Sequence, residues 1–124
     1  MTTKVLIVED DEDTASCLGF VLGRYGIESD MALDGVRAIE LMRANKYDVL
    51  VSDVCMPKMS GMELVAFKPP GLRSIAMSGH SEPEWSKDAF AAGFDAYLVK
   101  PVEIEKLVGT IHSLIAMGDR PDRT

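Results

Sequence analysis

Three short apolar runs in this 124-residue chain end in side chains able to do chemistry. Val5-Leu6-Ile7-Val8 runs into Glu9-Asp10-Asp11. Val49-Leu50-Val51-Ser52 delivers Asp53, followed by Val54-Cys55-Met56-Pro57. Ala96-Tyr97-Leu98-Val99 ends in Lys100-Pro101. If these runs are strands of one parallel sheet, their carboxylates and ammonium gather at one edge, where open α/β sheets bind ligands. Hard carboxylate oxygens suit Mg²⁺, commonly beside a phosphoryl group, and a lysine acts on a phosphoryl oxygen as a point charge. Without a cation, close carboxylates repel and raise one another's pKa values. Such a cluster costs stability and is expected only where it has work to do.

Each residue also has a plain structural reading. Asp11, Glu12 and Asp13 read as a solvated turn leading into a helix, with Asp13 or Thr14 as its cap. Glu9 and Asp10 read as metal-facing, because four apolar residues lead directly into them; a one-residue shift would make the pair Asp10 and Asp11. A single Asp after a strand is ordinarily a turn residue, so Asp53 gains meaning only from Met56-Pro57 and the other two clusters. Ser78 alone would be a loop hydroxyl, Tyr97 a half-buried strand aromatic and Lys100 a surface lysine. His80 and His112 lack metal-ligand spacing and receive no role. Trp85 is expected to be partly buried on its helix, the Cys55 side chain incidental, and the methionines core filler.

The elements that would position these residues alternate strictly. The uninterrupted run Val5 to Val8 reads as a strand buried on both faces. Leu18, Val21, Leu22 and Tyr25 follow at helical spacing, and Gly26 is a stop. A strand lies within Ile27 to Ala32. Asp34-Gly35 opens a helix whose inward stripe is Ala38, Ile39 and Met42. Val49 to Ser52 is the third strand. A third helix from Gly61 ends by Phe67, because Pro69-Pro70 stops it after about two turns. Ser74 to Met77 is the fourth strand, and Ser81 with Glu84 has capping-box spacing before a helix running to Ala92. Ala96 to Val99 is the fifth strand, and Ile104, Leu107, Val108, Ile111 and Ile115 form the stripe of the last helix. Alternation of this kind, with right-handed crossovers, gives an α/β fold: a doubly wound, five-stranded parallel sheet with helices on both faces. One domain spans 1–118, and 119–124 reads as a disordered tail.

Composition narrows the field. Formal net charge is −7 and the sequence pI is about 4.7, which argues against direct contact with nucleic acid or anionic membrane. No apolar run approaches the roughly 20 residues of a membrane span, and the first residues lack a signal-peptide layout. Cys17 and Cys55 show no pairing pattern, as expected for reduced thiols in a cytoplasm.

In order, Val8-Glu9-Asp10, Ser52-Asp53-x-x-Met56-Pro57, Ala76-Met77-Ser78-Gly79 and Tyr97-Leu98-Val99-Lys100-Pro101 resemble the receiver domain of two-component response regulators, from Lys4 to about Met117. The resemblance implies a flavodoxin-like sheet of order 2-1-3-4-5. It implies that Asp53 accepts a phosphoryl group from a histidine kinase or histidine phosphotransfer protein. Asp10, Asp53 and the backbone carbonyl of Cys55 would then hold Mg²⁺, with Glu9 acting through water. It further implies that Ser78 and Tyr97 are the switch pair, that Lys100 contacts the phosphoryl group, and that the Lys100–Pro101 bond is cis. Output would run through helix four, strand five and helix five, here roughly Trp85 to Ala92, Ala96 to Val99 and Ile104 to Ile115. The stretch after Met117 is too short for a DNA-binding or catalytic output segment, so protein–protein contact is expected.

One departure from the family pattern stands out. Asp53 to Ser78 spans 78 − 53 = 25 positions, about one helical turn short of what the resemblance implies, with the loss at Phe67-Lys68-Pro69-Pro70-Gly71. Helix three is therefore expected to be truncated. The leading expectation is a phosphorylation-dependent switch that assists its own phosphorylation and hydrolysis without being a turnover enzyme. A pseudo-receiver without phosphorylation is the alternative. An aspartyl-phosphate phosphohydrolase ranks below both, because Cys55 stands where such enzymes carry a second acid.

Overall fold

The computed structural model describes residues 2–117. Strands β1 (Lys4–Val8), β2 (Glu28–Ala32), β3 (Val49–Asp53), β4 (Arg73–Ser78) and β5 (Ala96–Val99) alternate with helices α1 (Glu12–Gly23), α2 (Gly35–Ala44), α3 (Gly61–Leu64), α4 (Pro83–Ala92) and α5 (Ile104–Ala116). All strand pairs are parallel, in the order β2-β1-β3-β4-β5. This is the doubly wound arrangement expected from the alternation, in the flavodoxin-like strand order that the resemblance implies.

The central strands read as continuous apolar runs because both faces are covered. Successive side chains point to opposite faces. Val5, Ile7, Val49, Val51, Ile75 and Met77 accordingly pack beneath α1 and α5, against Leu22, Leu107, Ile111 and Leu114. Leu6, Val8 and Leu50 face the other way, against Ala38 and Met42 of α2 and Leu64 of α3. A third cluster of Val54, Val65, Ala76, Ala89 and Phe94 lies under α4.

Register does the positioning. Val8 pairs with Ala32 and Ser52, Asp53 with Met77, and Ser78 with Val99. The chain therefore leaves β1, β3, β4 and β5 at one edge of the sheet, with Glu9, Asp53, Ser78 and Lys100 at or just past the last rung.

Helix three is short, as the paired prolines require: one α-turn, Gly61–Leu64, tightens into a 3₁₀ turn, Val65–Phe67. Other local expectations need correction. Helix α1 begins at Glu12, two residues earlier than a cap at Asp13 and three earlier than a cap at Thr14 would allow. Asp11 holds the N-cap position, and its carboxylate takes the Thr14 hydroxyl rather than a backbone amide. Tyr25 lies past the end of that helix and is exposed. No capping box forms at Ser81, because Pro83 takes the first helical position and leaves Glu82 as N-cap. The capping box that does form joins Ser60 and Glu63 at α3. In α5 the buried residues are Leu107, Val108, Ile111 and Leu114, whereas Ile115 is exposed. Met42 and Met77 are core, but Met31 and Met117 are exposed. The expected tail at 119–124 lies outside the described residues.

Candidate functional site

Glu9 and Asp53 are carboxylates that the fold buries; the residues are 3% and 6% exposed. Both sit there because buried strands end in them, and Lys100 reaches in from the end of β5 to join them. Its ammonium donates to Oδ2 of Asp53 at 3.0 Å and to Oε1 of Glu9 at 3.2 Å. The remaining oxygens are also held. Cys55 donates its amide to Oδ1 of Asp53 at 3.2 Å, and Asp11 donates its amide to Oε2 of Glu9 at 3.1 Å. Asp10 is exposed, yet one oxygen each from Glu9, Asp10 and Asp53 lie within 4.8 Å of one another.

Electrostatics follow from this packing. Burial pushes the Glu9 carboxyl up; the Asp11 amide opposes the rise, Asp10 adds to it and Lys100 opposes it, leaving a net increase. Burial alone would lower the Lys100 ammonium, but the hydrogen bonds and charges of Asp53 and Glu9 outweigh it and hold Lys100 above its ordinary value. The site is thus a triad of two carboxyl groups and one lysine, in which the lysine stays protonated. The three carboxylates are hard oxygen donors, the set that a divalent cation such as Mg²⁺ takes.

The switch candidates lie one strand over. Ser78, fully buried, ends β4, and its carbonyl accepts from the Lys100 amide at 2.7 Å, tying β4 to the lysine. Tyr97 on β5 is half-buried. The two hydroxyls are not bonded to each other. His80 bridges them: its amide donates to Ser78 Oγ at 3.1 Å, and its carbonyl accepts from the Tyr97 hydroxyl at 2.5 Å. Cys55 has an exposed side chain, in keeping with a role limited to its backbone. The Lys100–Pro101 peptide is cis.

Two further residues belong to the site. Gly61 opens α3, and a Cβ there would collide with the Asp53 carbonyl, so only glycine lets α3 approach so closely. Its amide donates to the Val54 carbonyl at 2.9 Å, holding the loop after Asp53. Lys58 in that loop has φ +70°, and the Met59 amide closes on the Pro57 carbonyl around it at 2.8 Å, a tight three-residue turn.

Residues 5–112 match the response regulator receiver domain family. The chain belongs to that family. A 14.6 kDa uncharacterized protein of Leptolyngbya boryana is 35% identical over 109 residues, covering 84% of this chain and 83% of the relative. Response regulator MprA of Mycobacterium ulcerans is 30% identical across 93% of the chain, and the chain spans about half of that relative's length (51%). Among solved structures, the receiver domain of the Francisella response regulator 1452 superposes with a TM-score of 0.85 at 30% identity, covering 94% of this chain and 98% of that one. The chemotaxis protein CheY4 of Vibrio cholerae gives a TM-score of 0.84 at 29% identity, covering 92% and 99%. This receiver domain therefore carries its three carboxylates and its lysine on the scaffold that its motifs predict.

Proposed function

We propose that this receiver domain is a phosphorylation-dependent switch in which Asp53 accepts a phosphoryl group from a phosphohistidine on a histidine kinase or phosphotransfer protein. One observation carries the reading: a single protonated lysine holds Asp53 and Glu9 together at the carboxyl edge of the sheet, with Asp10 within reach. In the transfer, a carboxylate oxygen of Asp53 forms the new O–P bond, the P–N bond of the phosphohistidine breaks, and its electron pair returns to the imidazole nitrogen. Water later cleaves the acyl phosphate and restores the carboxylate.

Asp10, Asp53 and the backbone carbonyl of Cys55 would hold Mg²⁺, with Glu9 alongside. When bound, the metal neutralises charge that develops on the transferred oxygens. The chain's own residues do the rest. Lys100 offers its ammonium to a phosphoryl oxygen, and the Cys55 amide fixes one oxygen of Asp53. Ser78 has a proton to donate. A shift of Ser78 toward Asp53 would be felt by Tyr97 through their common partner. Output would run through the face of α4, β5 and α5, where Phe90 and Val99 are exposed. Among the described residues no helix is long and apolar enough to cross a membrane, and we place the domain in the cytoplasm, where a kinase can reach it. Because Cys55 stands where an aspartyl-phosphate phosphohydrolase carries its second acid, we read the domain as a phosphoacceptor that assists its own phosphorylation and hydrolysis rather than a turnover enzyme.

The test is chemical. After treatment with acetyl phosphate and Mg²⁺, borohydride reduction should convert the labelled aspartate to homoserine at position 53. Homoserine at another position, or none in protein that has gained a phosphoryl group, would refute the assignment.

A further inference from the structure

The two switch hydroxyls share one partner, and that partner is braced from outside the site. The imidazole of His80 stacks on the indole of Trp85, with ring centroids 3.9 Å apart and planes 4° from parallel. Trp85 lies in the first turn of α4, half-buried against the cluster that contains Phe94 and Ala89. The indole is thus anchored in the core at one side and supports His80 at the other. A stack this close and parallel fixes the imidazole plane, and with it the backbone of a short connection between β4 and α4.

What the backbone of His80 holds gives the stack its consequence. A serine hydroxyl has one proton and two lone pairs. The His80 amide occupies a lone pair of Ser78 Oγ, which leaves the Ser78 proton free to be donated. The Tyr97 hydroxyl spends its proton on the His80 carbonyl, so it does not compete for Ser78. Resting on the reading of Asp53 as phosphoacceptor, we infer that Trp85 is a positioning residue: through His80 it holds the Ser78 hydroxyl oriented to donate to the incoming phosphoryl group. Bulk alone does not achieve this; the support needs a flat ring parallel to the imidazole.

Four variants of the full chain test it: Trp85→Ala, Trp85→Phe, His80→Ala and His80→Phe, each assayed for initial rate of Asp53 labelling by acetyl phosphate and for Mg²⁺ affinity at one fixed pH. The Ala variants should label about 2- to 10-fold more slowly, the range that an aromatic pair is worth. The Phe variants, which keep a stacked ring, should recover most of the rate. Mg²⁺ affinity should stay unchanged, because its ligands lie on other elements. Wild-type rates in both Ala variants would overturn the inference. So would a Trp85→Phe rate as low as that of Trp85→Ala, or a parallel fall in Mg²⁺ affinity, which would mark general damage. A second readout needs no phosphorylation. Trp85 is the only tryptophan in the chain, so its emission reports on the stack. Tyr97→Phe, which releases the His80 carbonyl, should change that emission, and an unchanged spectrum would refute the link. If wild type takes no label while the emission responds, the phosphoacceptor reading fails and the link from Tyr97 to Trp85 stands.

Discussion

Replacing Lys100 with Met removes the charge that joins Glu9 to Asp53 while keeping most of the side chain's volume. At 3.0 and 3.2 Å, each contact is worth about 5 kcal/mol of gross Coulomb attraction at an effective dielectric of about 20. Desolvation cancels most of that. Removing one partner from a fully buried pair costs about 3–5 kcal/mol, whereas exposed pairs contribute about 0–1 kcal/mol. The Lys100 side chain is 34% exposed and the carboxylates 4% and 9%, so the discounted cost is about 2 kcal/mol. For a domain of this size that lowers Tm by about 8 °C, measured by calorimetry in EDTA at pH 7.5. In the Asp53→Asn background the ammonium has only Glu9 left as a charged partner, so the same substitution should cost about half as much.

The pH dependence has a definite sign. Glu9 lies above its ordinary value when folded, so between its unfolded and folded pKa values the native state holds more protons, and stability falls as pH rises through that window. Losing Lys100 removes an influence that lowers Glu9 and extends the window upward. The variant's deficit should therefore be larger at pH 7.5 than at pH 5. The same variant keeps all three carboxylates and should bind Mg²⁺ more tightly than wild type while losing phosphorylation. An unchanged Tm in EDTA, or a deficit that grows as pH falls, would refute this account of the triad.

Gly61→Ala should destabilise by about 1–3 kcal/mol, because the new methyl must displace the Asp53 carbonyl, and should slow phosphorylation as well; denaturant melts and labelling rates check both. Tyr47 donates to Asp30 at 2.7 Å. Burial and then Asp30 hold its phenol well above the ordinary value of 10.0, so stability present below about pH 10 is lost as the pH rises further. Tyr47→Phe should make the alkaline decline in Tm shallower. Leu114→Ala should cost about 2–3 kcal/mol and Ile115→Ala under about 1 kcal/mol, since the first residue is 6% exposed and the second 37%; equal losses would contradict the observed rotation of α5.

The triad was legible because burial on both faces makes β1 and β3 unmistakable, and a charge directly after such a strand can only emerge at the sheet edge. Glu9 and Asp53 follow from that single constraint; Lys100 ends β5, a half-buried edge strand, and was marked instead by the motif Tyr97-Leu98-Val99-Lys100-Pro101. Helix starts were harder to read. The acidic stretch Asp10 to Asp13 offers several caps of equal chemistry, and Pro83 moves the start of α4 so that Ser81 falls one position too early. For α5 the error was one of angle. At about 100° per residue, Leu114 lies about 20° from Leu107 around the helix and Ile115 about 80°, so the stripe belongs to Leu114. His80 could not be found this way, because it works through its amide and carbonyl, which every residue but proline possesses. Its stack on Trp85 joins positions five apart that no periodicity marks. The close approach at Gly61 likewise depends on where α3 lands, which the glycine alone does not reveal.

The central claim is that Asp53 takes a phosphoryl group with help from a divalent cation held beside it. Intact mass after incubation with acetyl phosphate, with Mg²⁺ or with EDTA, on wild type and Asp53→Asn, tests it most directly. The account predicts a gain of one phosphoryl group in wild type with Mg²⁺ and no gain in the other three samples. The same gain in EDTA or in Asp53→Asn would contradict it.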